Sequence, residues 1–326
     1  MTMTLLHHNF SANNSTPAQR LRLTTAAVRV SMRWLGVRKT LTPEQKNQAA
    51  EPFNAEGEYL SARKKLLDTT HPAYKEVTAV RGNVLKFWKS VTLPFPEPGV
   101  RLIKQDTIEA FDRQMRDFQQ QLEEAVARLD DHYSELKAAA RRRLGELYDA
   151  NDYPPRLRGL FGIEWTYPSV EAPDYLLQLS PALYEQEKAR VAARFQEAVQ
   201  LAEQAFIAEL GRLVSHLTER LTAGPDGEKK VFRDSMIANL TEFFEQFRQL
   251  NVHSNTELDD LVGRAQRIVQ GIEPQALRDN SALRQHVAAQ LATVQSTLDG
   301  MLIDQPRRRI VRSAHSNNGG PHAARD

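Results

Sequence analysis

Apolar residues recur at steps of three or four along two long stretches of this chain. In the first, Ile108, Phe111, Met115, Phe118, Leu122, Val126, Leu129, Tyr133, Leu136, Ala140, Leu144 and Leu147 trace one narrow seam between charged positions. That spacing predicts a helix of roughly 60 Å at about 1.5 Å per residue. In the second, Val191, Phe195, Ala198, Ala202, Phe206, Leu210, Leu213, Leu217 and Leu221 repeat the pattern. A seam this narrow calls for one partner helix more than for a broad core. The two stretches are similar in length and joined by a compact insert. They therefore predict an antiparallel helical hairpin, a coiled-coil-like stalk over 105–221, because a parallel pair would need a return crossover.

The insert, 149–180, has a different pattern. Ile163, Trp165 and Tyr167 alternate with polar residues, and Tyr175, Leu177 and Leu179 do so again, with Pro168 and Pro173 between them. Period two predicts strands, so the insert reads as a small two-stranded β tip. An isolated hairpin is marginal in water. It must pack on the helix ends or on another strand, for which 27–36 and 99–104 are the candidates. Residues 27–36 alternate Val28, Val30, Met32 and Trp34 with Arg29, Ser31 and Arg33, the pattern of a half-buried strand.

Other elements follow from caps and breakers. Thr42 with Pro43, Glu44 and Gln45 starts a helix that runs toward residue 70 and is interrupted near Pro52. Residues 71–91 predict another helix, and three prolines in 92–99 force an extended turn. After a linker at 222–230, Phe232, Met236, Leu240, Phe243, Phe247 and Leu250 mark one helix. Thr256 and Asn280–Ser281 are the cap candidates of two more. The expected fold is mainly α. It comprises a disordered leader (1–19), a basic α/β region (20–104), the hairpin (105–221), a three-helix bundle (228–304) and a disordered basic tail (305–326).

Composition narrows the chemistry. Among 326 residues there is no cysteine, which removes disulfides, cysteine-ligated metals and thiol nucleophiles and suits a cytoplasmic protein. There is no apolar run of 18 residues, so neither a transmembrane helix nor a membrane partner is expected. The net charge of +2 hides an uneven distribution. Residues 1–104 carry 16 Lys and Arg against 7 Asp and Glu, whereas residues 105–221 carry 14 against 21. Basic ends flank an acidic middle, which fits either internal charge complementarity or a polyanionic ligand for the N-terminal third.

No phosphate-binding loop, dinucleotide fingerprint, nucleophile elbow or zinc-helix motif is present. The nine histidines are scattered, and an antiparallel hairpin keeps His132 and His216 apart. Neither a metal site nor a cofactor is expected. Glu123, Glu124, Asp130 and Asp131 are spaced as a solvated helix face. Glu164 lies beside the apolar face of the β tip and points away from it. Arg141, Arg142 and Arg143 suit the negative end of a helix. Two binding surfaces remain. Tyr153, Trp165, Tyr167 and Tyr175 are candidate partner-binding aromatics on the tip. Arg81, Lys86, Lys89, Arg101 and Lys104, interleaved with Phe87, Trp88 and Phe95, are candidates for a polyanion.

Four short patterns carry a resemblance: Thr92–Pro94, Gly99–Leu102, Leu144–Tyr148 and Asp152–Pro154. Together they resemble a family of helical proteins, a domain of unknown function encoded by phages and mobile elements, over about residues 28–221. The chain departs from that family's Asp-Phe-Arg after the strand pair, reading Pro-Asp-Tyr-Leu-Leu-Gln-Leu at 173–179. The resemblance implies a phage or mobile-element setting and a protein partner of the MoxR-like AAA+ ATPase class. The expected function is a non-enzymatic helical interaction or assembly protein. The alternative is a nucleic-acid-associated accessory protein using the basic N-terminal region and tail. The sequence leaves homo-oligomerisation open.

Overall fold

The computed structural model describes residues 15–222 and 233–303. Most of the expected linker, the expected basic tail and the first 14 residues lie outside these. The protein is mainly helical with a small antiparallel sheet. Among the described residues no helix is long and apolar enough to cross a membrane. The chain divides into two compact units that cut across the expected segments. One comprises Met1–Phe206 with Thr241–Asp260, the other Ile207–Leu240 with Leu261–Asp326.

The first unit begins with a helix, α1 (Pro17–Thr24), where a disordered leader was expected through residue 19. Thr16 and Gln19 form a reciprocal capping box and Pro17 takes the first helical position, so the helix has a complete start signal. Strand β1 (Thr25–Arg33) follows directly. After it come β2 (Arg38–Thr40) and α2 (Pro43–Ala50), the latter capped by Thr42 and Gln45 as its sequence predicts. The expected continuation of that helix toward residue 70 is not formed. Gly57 packs on the turn before it, where an added Cβ would stand 2.6 Å from the Asn47 amide nitrogen. The chain turns back there and forms β3 (Arg63–Lys65) against β2.

Helix α3 (Pro72–Ser90) leads through β4 (Thr92–Pro94) into β5 (Val100–Lys104). Gly99, at φ 76°, makes the turn that an L side chain resists. The first long seam is α4 (Ile108–Asp131) and α5 (Tyr133–Leu144), with a break at His132. Then come β6 (Gly162–Thr166), the five-residue helix α6 (Tyr175–Leu179) and α7 (Pro181–Leu221).

The insert is corrected on two points. Its first strand, β6, does not close a separate tip: it pairs antiparallel with β1, in a sheet of order β4-β5-β1-β6. Its second expected strand is α6. In a five-residue run, alternation cannot be told from a short helix with apolar residues all round.

The packing of the long helices also differs from a hairpin stalk. The seam on α4 and α5 is buried as predicted, from Phe111 (1% exposed) to Ala140. Its neighbour is α3: Phe87 stacks on Phe111 at 5.7 Å and meets Phe118 at 5.8 Å. The same core takes in Val28 of β1, Ile103 of β5 and Ile163 of β6, but no residue of α7. Cross-strand register explains this. Ala26 faces Ile103, Val30 faces Trp165 and Met32 faces Ile163, so one face of the sheet lies on the α3–α4 layer. Leu93, Ala27, Leu102 and Val100 occupy the opposite face and are buried as well. The α7 seam is used elsewhere: Phe195 meets Phe95 at 5.5 Å, and Phe206 meets Phe247 at 5.0 Å.

Helix α8 (Ser235–Leu250) and helix α9 (Thr256–Val269) are followed by α10 (Pro274–Asp279) and α11 (Ser281–Ile303). In the second unit Leu210, Val214, Leu217, Leu240, Leu261, Ala265, Leu277, Leu291 and Leu298 are all at most 1% exposed. Arg278 pairs with Asp234 at its surface.

Phe118→Ala should cost about 3–5 kcal/mol, as for other buried phenylalanines, measured by urea denaturation. A double-mutant cycle locates the partner. Phe87 and Phe118 should couple by about 0.5–1.5 kcal/mol, whereas Phe118 and Phe206 should add. Coupling to Phe206 alone would restore the hairpin.

Candidate functional site

The segment between α5 and α7 is tied down residue by residue. Gly145 ends α5 at φ 52°. Tyr148 stacks on Tyr153 at 5.0 Å, and the Tyr153 hydroxyl donates to the Leu66 carbonyl at 3.0 Å. Burial pushes that hydroxyl up to about 12. Asp152 beside it is fully enclosed and forms ion pairs with Lys39 and with Lys64, the latter at 2.6 Å. Burial raises the Asp152 pKa, but hydrogen bonds from the two lysines outweigh it, and the carboxyl sits below its ordinary range. Asp112 of α4 is a second anchor: one carboxylate oxygen accepts from Trp165 Nε1 at 2.6 Å and from the Tyr167 hydroxyl at 2.7 Å. Burial and then the Asp112 carboxylate hold the Tyr167 hydroxyl well above its usual range. Further along, Glu171 pairs with Arg22 and the Val170 carbonyl accepts from Arg194.

These anchors divide the candidate aromatics. Tyr153 is buried and Trp165 half-buried, and both spend their polar atoms inside the molecule. Tyr167 and Tyr175 are 39% and 61% exposed. Leu177, Leu179 and Leu183, next along the chain, are each more than half exposed.

A cleft of about 730 Å³ lies between α4 and 158–164. Leu122, Val126, Phe161 and Ile163 line it, and charged side chains from both sides reach it. Here the structure gathers four of the acidic residues singled out in the sequence, Glu123, Asp130, Asp131 and Glu164, together with Arg33 and Arg158. Asp130 accepts from the Leu157 amide at 2.9 Å, and Gln119 donates to the Ile163 carbonyl at 2.8 Å, which fixes the walls. The lining holds carboxylates and guanidiniums but no hydroxyl, imidazole or amine nucleophile. Its charged groups can bind a polar ligand by ion pairs and charge-assisted hydrogen bonds. Glu124 lies outside it and accepts from Gln120.

The basic candidates do not form one face. Arg81 stacks over Trp34 at 5.4 Å and Lys86 pairs with Glu242 at 3.0 Å. Lys89 is exposed, and Lys104 donates to the Gln249 carbonyl. Arg101 is an internal anchor. It donates from Nε to Thr92 Oγ1 and from Nη2 to the Thr92 carbonyl, both at 2.7 Å, and burial lowers it to about 10. Replacing it would break the β4–β5 turn.

The structure also brings together a group that sequence spacing hid. His71 caps α3 and His132 stands at the α4–α5 break, with their rings 5.1 Å apart. His132 Nδ1 is 3.7 Å from Glu135 Oε2, and the ligand atoms of all three side chains lie within 4.8 Å of one another. His71 Nδ1 already accepts the Ala73 amide at 3.3 Å, so holding a metal ion through that nitrogen would release the cap.

No protein-family model, curated protein or solved structure matches the chain. The residues that carry the resemblance have local duties here. Thr92 and Arg101 hold the β4–β5 turn, Gly99 permits it, and Asp152 and Tyr153 fasten the insert to β3 and the chain just after it.

Asp152→Asn leaves the Lys64 ammonium enclosed without its counter-charge and should cost about 3–5 kcal/mol. The folded pKa lies below the unfolded value of about 3.9, so this stabilisation is full above that pH. It is lost as pH falls through the folded value. The stability difference between wild type and variant, read from urea unfolding, should narrow on acidification below about pH 4. A difference independent of pH would assign the cost to packing alone.

Proposed function

We propose that this chain is a non-enzymatic interaction protein that docks a protein partner through the exposed apolar segment from Tyr167 to Leu183. One observation carries the reading. Of the eight large hydrophobic side chains exposed among the described residues, five fall in that run: Tyr167, Tyr175, Leu177, Leu179 and Leu183. Scattered surface hydrophobics need no explanation, but concentrated ones mark interaction surfaces. The run is also held in place. Tyr167 bonds to Asp112, Glu171 pairs with Arg22, Arg194 holds Val170, and α7 begins at Pro181. A surface ordered before binding loses less entropy when a partner arrives.

The motif resemblance favours a MoxR-like AAA+ ATPase as the partner, in a phage or mobile-element assembly. The cysteine-free sequence suits the reducing cytoplasm in which such a partner would work.

The triple variant Tyr175→Ser, Leu177→Ser, Leu179→Ser tests the reading. All three side chains are exposed, so helical circular dichroism and cooperative melting should match wild type. Capture of the partner from host extract, quantified by mass spectrometry, should fall at least tenfold, the scale of lost hot-spot contacts. A variant that retains every partner overturns the proposal. If wild type captures only itself and the variant becomes monomeric by light scattering, the segment is a self-association face instead.

A further inference from the structure

The β2–β3 ribbon concentrates positive charge to a degree its pairing does not favour. Five of its six residues are cations: Arg38 and Lys39 on one strand, Arg63, Lys64 and Lys65 on the other. The register sets Arg38 opposite Lys65 and Lys39 opposite Lys64. Like charges directly opposite destabilise a strand pair, and a two-stranded ribbon is marginal to begin with. Counter-charge has to come from elsewhere.

On one face it comes from the protein. Side chains alternate across a ribbon, so Lys39 and Lys64 share a face, and the enclosed Asp152 carboxylate pairs with both. Lys64 also donates to the Leu147 carbonyl at 2.7 Å. The other face carries Arg38, Thr40, Arg63 and Lys65, all exposed. None of its three cations has an ion pair or hydrogen bond to another described side chain. The ribbon is held firmly enough to present them: Leu41 donates to the Ala62 carbonyl at 3.1 Å and Leu66 to Val37 at 2.8 Å, extending the ladder at both ends. The end of α5 is tied to the same region, since Arg143 pairs with Asp68 at 2.7 Å, just past β3. Its neighbours Arg141 and Arg142 are exposed. Two further carboxylates lie in this stretch. Asp149 accepts the Asn151 amide at 2.9 Å, and Glu146 is exposed, so cations remain in excess.

We propose that the outward face of this ribbon, Arg38, Arg63 and Lys65, binds the phosphate backbone of duplex nucleic acid without sequence preference. Arginine forks match phosphate geometry, and the major groove of B-DNA admits a two-stranded ribbon. An anionic lipid surface fits less well. It would need apolar anchors beside the cations, and the exposed aromatics of the β2–β3 connection, Phe53 and Tyr59, stand among Glu51, Glu56 and Glu58. This site is separate from the apolar segment, and neither proposal depends on the other.

The experiment uses the full chain and fluorescence anisotropy with a short, labelled, mixed-sequence DNA duplex, from about 50 mM salt upward. Wild type should bind with a log–log salt slope of about −2.7 or steeper, the value for three phosphate contacts. Arg38→Gln, Arg63→Gln, Lys65→Gln together should weaken binding at least tenfold and make the slope shallower by about 2.7. These side chains face solvent, so the melting curve serves as the fold control. Lys86→Gln with Lys89→Gln on α3 should leave binding unchanged. No binding by wild type at low salt, an unchanged slope in the ribbon variant, or loss only in the α3 variant overturns the proposal. Binding to phosphatidylserine vesicles without binding to the duplex overturns it in favour of a lipid surface.

Discussion

Strand β1 needs hydrogen-bond partners on both of its edges, and the first unit is assembled around that need. A buried strand cannot leave its amide and carbonyl groups unpaired without a cost comparable to the bonds lost. Val28 at the centre of β1 is fully buried. Residues 25–29 find their partner in β5, and residues 29–33 find theirs in β6, on the other edge. The second pairing joins positions more than 120 residues apart. It draws the aromatic insert into the sheet, and with it the ends of the two long seams. Because β1 alternates its faces, the same strand then sets the layers, with α3 and α4 on the Val28 side and the Ala27 side buried separately.

Two carboxylates complete what the sheet begins. Asp112 gathers Trp165 of β6 and Tyr167 just past it, and Asp152 gathers Lys39 and Lys64 from the ribbon. Each is one charge holding two donors that lie far from it along the chain. Such nodes add little net stability when compared with apolar packing, but they specify which segments lie together. Asp152 also splits the ribbon into a face whose charge is partly offset and one whose charge is not. Without it, four opposed cations would face each other with no counter-charge.

Both functional readings rest on what the fold leaves uncompensated. In the insert it is apolar area: Tyr175, Leu177 and Leu179 stay in water although the segment around them is anchored. In the ribbon it is charge. By contrast, Arg101 and Tyr153 look equally available in the sequence and are consumed by the fold itself. Residue type does not distinguish a ligand-binding cation from a structural one; the number of internal partners does.

Local information was legible without the structure. Thr42, Pro43 and Gln45 start α2 by a capping box whose atoms are neighbours in the chain. The seam from Phe111 to Ala140 and the one from Val191 to Leu221 are buried at nearly every predicted position. Periodicity shows which face of a helix avoids water, because that depends only on the helix repeat. It does not show what covers the face. The α4 seam found α3 and a sheet, not α7, and α7 found Phe95, Phe243 and Phe247. Apolar burial is non-directional, so a stripe of Phe and Leu accepts any apolar partner of the right shape. The ribbon, the cleft that gathers Glu123 with Glu164, and the meeting of His71 with His132 were hidden for a related reason. Each joins residues whose separation along the chain carries no period, and only the pairing of strands and the docking of helices made them neighbours.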